Sequence, residues 1–144
     1  SLQQDPRVVV MDRFNVRNLT PSDLDDTPDL VVADLSFISL RTVLPALRGS
    51  VAEASDFVLM VKPQFEVGRE LLGKNGVVRD PATRADAVIN VARSAEKIGL
   101  GCAGIAASPL PGPSGNVEYF LWLRQDSPPM REDDLSRAVA EGPQ

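Results

Sequence analysis

The chain has 144 residues, 43% apolar and 24% charged, which suits one globular domain with a single core and excludes a disordered segment or two ordinary domains. No histidine and one cysteine, Cys102, exclude an intramolecular disulfide, a thiolate or imidazole zinc site, and Ser-His-Asp or Cys-His catalysis, so acid and base work falls to Asp, Glu, Lys, Tyr or water. A net charge of −5 argues against a stand-alone nucleic-acid binder, while the absence of any apolar run near the roughly 18 residues of a membrane span, with a polar Ser1 to Pro6, points to a soluble, cytoplasmic protein.

In chain order, the Val run within Arg7 to Met11 reads as a strand, and Thr20 to Pro28 as a helical turn or loop. Leu30 to Ala33 is a continuous apolar run, the pattern of a strand buried on both faces, and stops at Asp34. Leu40, Val43, Leu44, Leu47 and Val51 recur at helical spacing, predicting a helix over Leu40 to Ala54 in which Pro45 is tolerable only near the start or at a kink. Phe57 to Val61 is a second buried strand, ending at Lys62. Pro63 to Arg79 carries Gly68, Gly73 and Asn75-Gly76 without periodicity and reads as a long loop of the functional kind. Asp80-Pro81 opens a helix whose apolar face is Ala85, Val88, Ile89, Ala92, Ala95 and Ile98 and which Gly99 ends. Cys102 to Ala107 and Tyr119 to Leu123 read as strands joined by the Pro/Gly-rich Ser108 to Asn116, and Glu132 to Ala140 as a terminal helix before a Pro-Gln tail. Alternating strands and helices predict a mostly parallel α/β sheet, with the last two strands an antiparallel hairpin at one end.

Two motifs fail on context. Gly99-Leu100-Gly101-Cys102-Ala103-Gly104 spells the dinucleotide fingerprint, but a helix precedes it and a strand follows, the reverse of what brings a pyrophosphate to a helix N-terminus. Gly68 to Lys74 matches the first positions of a P-loop, yet Asn75 stands where a Ser or Thr must hold magnesium. Cys102, among small residues in a strand, reads as packing ahead of a reactive thiol.

A third grouping survives. Asp34 and Lys62 end successive strands with a crossover helix between, so both belong at the carboxyl edge of adjacent parallel strands about 4.8 Å apart, where open α/β sheets bind ligands. Glu118 reaches the same edge if its strand runs antiparallel. The Asp34–Lys62 pair alone reads equally as a structural cap on the sheet; Glu118, the Pro63-Gln64-Phe65 turn and the long loop favour a site. A lysine held between carboxylates suits deprotonation of a sugar hydroxyl for attack on an activated carbon.

The segments Val31-Val32-Ala33-Asp34-Leu35-Ser36-Phe37-Ile38-Ser39-Leu40, Val61-Lys62-Pro63-Gln64-Phe65-Glu66-Val67-Gly68 and Ser108-Pro109-Leu110-Pro111-Gly112-Pro113-Ser114-Gly115-Asn116-Val117-Glu118-Tyr119-Phe120 resemble the TlyA family, haemolysin-named ribosomal RNA methyltransferases similar to the FtsJ group of ribose 2′-O-methyltransferases. The resemblance runs over nearly the whole chain. It implies a Rossmann-like methyltransferase fold, S-adenosylmethionine as methyl donor, and ribosomal RNA or a ribosomal subunit as partner. Asp34, Lys62 and Glu118 match three members of the family's Lys-Asp-Lys-Glu tetrad, with Lys62 implied to activate the ribose 2′-hydroxyl and Asp34 also on the cofactor side. Asn15 matches a position near the adenosine, and reads equally as an ordinary turn Asn.

Departures from the family carry their own expectation. The S4-type RNA-binding domain, the first tetrad lysine and the Gly-rich turn that cradles the cofactor have no counterpart, so residues 1–144 read as the C-terminal portion of the methyltransferase domain, lacking its first two strands and inactive alone. In the family's strand order 3-2-1-4-5-7-6, the missing strands separate the one at Val8 to Met11 from the one at Leu30 to Ala33. That leaves an apolar edge. Three outcomes follow: the first strand slides across to pair there, the edge pairs in a homodimer, or the first thirty residues are poorly ordered. A non-catalytic module associating through the open edge is the alternative function; direct membrane lysis finds no support, for want of a span or a strongly cationic amphipathic helix.

Overall fold

A computed structural model describes residues 1–143; Gln144, the end of the expected tail, lies outside the described residues. The chain forms β1 (Leu30–Ala33), α1 (Leu40–Gly49), β2 (Asp56–Val61), the one-turn helix α2 (Pro63–Glu66), α3 (Pro81–Glu96), β3 (Leu100–Ala107), β4 (Tyr119–Gln125) and α4 (Glu132–Glu141). The sheet order is β1-β2-β4-β3. β1 pairs parallel to β2, and β4 inserts antiparallel between β2 and β3, so three of the four strands share one direction. The α/β fold expected is present, with the antiparallel β3–β4 pair at one end of a mixed four-stranded sheet.

Each helix follows from its cap and its apolar stripe. Ser39 accepts the Arg41 N–H and starts α1, which buries Leu40, Val43, Leu44 and Leu47. It stops at Gly49, five residues short of expectation, where the Ser50 N–H turns back to the Leu47 carbonyl. Asp80 caps α3 with Pro81 in its first turn. The stripe of α3 is rotated slightly from the predicted one: Ala87, Val88, Val91, Ala92 and Ala95 are buried together with Arg84, while Ala85 and Ile89 lie half-buried at its margin.

Alternation in the two central strands decides where the core sits. Phe57, Leu59 and Val61 of β2 and Tyr119, Leu121 and Leu123 of β4 are fully buried against the helices. The residues between them point to the opposite face, where Val32 is 72% exposed, Trp122 42% and Phe120 36%. The expectation that Leu30 to Ala33 is buried on both faces is therefore corrected: β1 alternates exposed and half-buried, because no helix covers its second face.

The strand expected within Arg7 to Met11 is absent. Val8, Val9 and Val10 are exposed and outside the sheet, since a strand needs a hydrogen-bonded neighbour and no strand of this sheet lies beside them. Nor has that segment slid across to β1, whose outer edge stays unpaired in the sheet. The segment 63–79, expected as loop, contains α2 and two 3-10 turns, Arg69–Leu71 and Lys74–Gly76.

Candidate active site

Parallel pairing of β1 with β2 puts their carboxyl ends on one edge of the sheet, with Ala33 opposite Leu59 and β2 running two residues farther to Val61, and the next residue of each chain segment is charged. Lys62 Nζ lies 2.5 Å from Asp34 Oδ1 and donates to Ser36 Oγ at 3.2 Å. The lysine side chain is 12% exposed and that of Asp34 66%, so the pair sits at the rim, with the ammonium inward and the carboxylate toward solvent. An ammonium has three N–H groups; Asp34 and Ser36 engage two. The Phe65 ring lies 5.9 Å from Nζ, at the outer limit of a cation–π contact.

Glu118 arrives from the other direction. Val61 pairs with Tyr119 in the antiparallel β2–β4 ladder, which sets Glu118 beside the end of β2, as its expected antiparallel course requires. Its carboxylate is nearly buried and accepts from Gln64 Nε2 at 3.1 Å. A Cβ at Gly112 would come within 3.1 Å of Glu118 Oε2, so the Pro-Gly-Pro turn folds over the carboxylate with little room to spare. Lys62 and Glu118 share a cavity of about 790 Å³ whose wall also includes Phe37, Gln64, Asn116 and Ser36. Asp34 borders it only through Lys62; it lines instead a shallow groove with Val32, Val58, Met60 and Phe120 on the uncovered face of the sheet.

Three further features escaped the sequence reading. Phe37 adopts a left-handed backbone at φ 62°, is 90% exposed, and meets the Phe65 ring at 5.0 Å between centroids, so it stands at the cavity mouth. A bulky residue in that region costs energy that the fold must offset. Gln64 and Ser36 bind Glu118 and Lys62 respectively; the sequence of the Pro63-Gln64-Phe65 turn favours a site, but it does not show the role of the Gln64 side chain within it or that of Ser36. Asn116, fully buried, accepts from the Val78 N–H at 2.8 Å and donates to the Gly76 carbonyl at 3.0 Å, tying the long loop to the Glu118 segment.

Asn15 stays apart from this cluster. It is exposed, accepts the Arg17 N–H at 3.2 Å to cap the turn Val16–Asn18, and does not line the cavity. The two failed motifs stay failed: Gly99 closes α3 at φ 84°, Gly101 and Gly104 lie within β3, and Lys74 lies on a 3-10 turn with no helix behind it. Cys102 is half-buried, donates to the Gly104 carbonyl, and has its thiol pKa pushed up chiefly by burial, as a packing residue would. Among the described residues no helix is long and apolar enough to cross a membrane, and no cluster of His, Cys, Asp or Glu could hold a metal ion.

The chain is 57% identical, over 99% of its length, to the 16S/23S rRNA (cytidine-2′-O)-methyltransferase TlyA of Mycobacterium tuberculosis, covering 55% of that protein. It is 42% identical over 97% of its length to YqxC of Bacillus subtilis, named as an rRNA methyltransferase, covering 52% of it. The chain thus spans about half the length of the curated relatives it matches. The solved structure of a protein described as a hemolysin from Lactococcus lactis superposes with a TM-score of 0.90 at 34% identity, covering 96% of this chain and 68% of that one. The model of the FtsJ-like methyltransferases matches residues 1–125, and the chain belongs to that family.

Proposed function

We propose that this chain carries the proton-handling part of an S-adenosylmethionine-dependent methyltransferase that modifies a ribose 2′-hydroxyl in ribosomal RNA, working in the cytoplasm as part of a longer protein. The observation that carries the reading is Lys62, joined to Asp34 at 2.5 Å and facing Glu118 across one cavity at the carboxyl edge of the sheet. The names of the relatives support the same chemistry. An exposed aromatic such as Phe37 on the wall of the same cavity suits an RNA substrate, whose unstacked bases rest on aromatic rings.

S-adenosylmethionine supplies an electrophilic methyl group when bound. The residues present do not fit the whole of that cofactor. The turn from β1 into α1, Asp34 to Ser39, contains no glycine, and the Leu40 N–H at the helix start is already taken by Glu66 Oε1 at 2.7 Å. Only Asp34 stands at the strand end where a donor would approach, so we assign the rest of the cofactor site to residues outside this chain. What this chain supplies is the base. Lys62 first releases its ammonium proton to solvent and then takes the proton of the 2′-hydroxyl; Asp34 and Ser36 fix the nitrogen, and the Asp34 carboxylate stabilises the ammonium that forms again. Glu118, held by Gln64, contributes the negative charge on the far side of the cavity.

Within the full-length protein, Lys62→Ala should lower methyl transfer by at least about 100-fold, the usual range for a lost general base, with the thermal unfolding profile unchanged. A variant with wild-type turnover removes Lys62 from the mechanism. Calorimetric titration of this chain with S-adenosylmethionine tests the cofactor assignment, and the expected result is no saturable binding.

A second reading has its own support, the open edge of β1 beside an uncovered apolar face. There the chain acts as a non-catalytic module that associates with a second copy. A dimer in solution, together with wild-type turnover of Lys62→Ala in the full-length protein, favours it.

A further inference from the structure

One buried carboxylate takes no part in the chemistry above. The Glu66 side chain is 2% exposed, and burying a charge is costly unless it is paired and hydrogen-bonded. Its partners are three consecutive residues at the start of α1. Ser39 Oγ donates to Oε2 at 2.5 Å, the Leu40 N–H donates to Oε1 at 2.7 Å, and Arg41 Nε lies 3.5 Å from Oε2. Arg41 Nη2 also donates to the Glu66 backbone carbonyl at 3.3 Å.

The placement of these contacts matters more than their number. Lys62 is the residue before α2 and Glu66 is the last residue of the same helical turn, so one short rigid element carries both. Lys62 grips Asp34 and Ser36, and Glu66 grips Ser39, Leu40 and Arg41, the other end of the same turn between β1 and α1. Glu66 does not line the cavity and touches nothing that would react. Its bonds fix the far anchor of the segment that presents Ser36 and Asp34.

We propose that Glu66 is a positioning residue that locks the Asp34–Ser39 turn around the Lys62 ammonium. The inference rests on the reading of Lys62 as the reactive amine, but its test does not require catalysis. A residue that only caps α1 would leave the surroundings of Lys62 unchanged when altered.

The test is competitive labelling of this chain with acetic anhydride, read by peptide mass spectrometry. Lys74 and Lys97, the other two lysines, are exposed and serve as internal references. Glu66→Ala frees the turn and should raise the Lys62 labelling rate at least about five-fold over those references. Glu66→Gln keeps an acceptor for the Leu40 N–H and a polar partner for Ser39, and should return the rate to within about two-fold of wild type. An unchanged Lys62 rate in a folded Glu66→Ala chain overturns the proposal. Should that variant not fold, Ser39→Ala carries the test, because it removes the shortest of the bonds and leaves the Leu40 contact. A two-fold or greater rise in the Lys62 rate supports the proposal, and a smaller change overturns it. If Lys62→Ala proves fully active in the longer protein while labelling responds as expected, the catalytic reading fails and the positioning one stands.

Discussion

At the scale of single residues, the site is held by buried polar groups whose partners lie far away in sequence. Asn116 is the clearest case, since its two bonds satisfy the Val78 N–H and the Gly76 carbonyl, 38 and 40 residues away in the chain. Asn116→Ala leaves the buried Val78 amide without an acceptor, which costs about 1–3 kcal/mol. The urea midpoint of the variant should fall accordingly, and an unchanged midpoint would mean that water replaces the side chain. Glu66 gives a prediction with a sign. Burial raises its pKa above the ordinary 4.5, outweighing the opposing pull of Ser39, the Leu40 amide and Arg41. The folded state therefore binds this proton more tightly than the unfolded one, so the stabilising contribution is complete below pH 4.5 and is lost as pH rises through the higher folded value. Wild type should lose stability relative to Glu66→Gln over that window when both are unfolded in urea at stepped pH. The opposite slope would show that the N–H and Arg41 contacts outweigh burial.

At the scale of elements, β3 explains why a cofactor fingerprint appears in the sequence without its function. Gly101 runs against the backbone after β4: a Cβ there would sit 1.7 Å from the Ser127 carbonyl oxygen, and the neighbouring Cys102 N–H donates to the Pro128 carbonyl at 2.8 Å. The glycine answers a close approach of two chain segments. Gly101→Ala must push that backbone aside and should lower stability by about 3 kcal/mol, seen as a drop in melting temperature. The elements themselves were legible where one local rule was enough. The apolar runs of β1 and β2 and the Asp80-Pro81 start of α3 mark them without help, and the charges that end the strands gave Asp34 and Lys62 their place on one edge. Val8 to Val10 show the limit, because apolar β-branched residues become a strand only if a neighbour exists to take their hydrogen bonds, and the sequence of the segment carries no record of that neighbour. Glu66 and Gln64 were illegible for a similar reason. Their partners lie 25 to 54 residues away, and only the placement of α2 beside the start of α1 and the residue before β4 selects them.

At the scale of the whole molecule, the sheet has one clothed face and one bare one. Val32 and Leu30 of β1, Phe120 and Trp122 of β4, and the half-buried Val58 and Met60 between them form a continuous apolar strip, and β1 adds an unpaired strand edge at its border. Asp56 relieves the far end of the strip, accepting from Trp122 Nε1 and pairing with Arg124. At the other end the Asp34 carboxylate, paired with Lys62, borders a shallow groove whose remaining lining is apolar. A strip of this kind beside an open edge drives association. The isolated chain should therefore self-associate as its concentration rises. Val32 is the residue to change, being 72% exposed and on the edge strand, so that lysine there costs the fold little while placing a charge in the middle of the contact. Light scattering should show Val32→Lys shifted toward monomer with the circular dichroism of wild type. A wild-type chain that stays monomeric throughout would exclude the association reading and leave the strip as a face for other parts of a longer protein to cover.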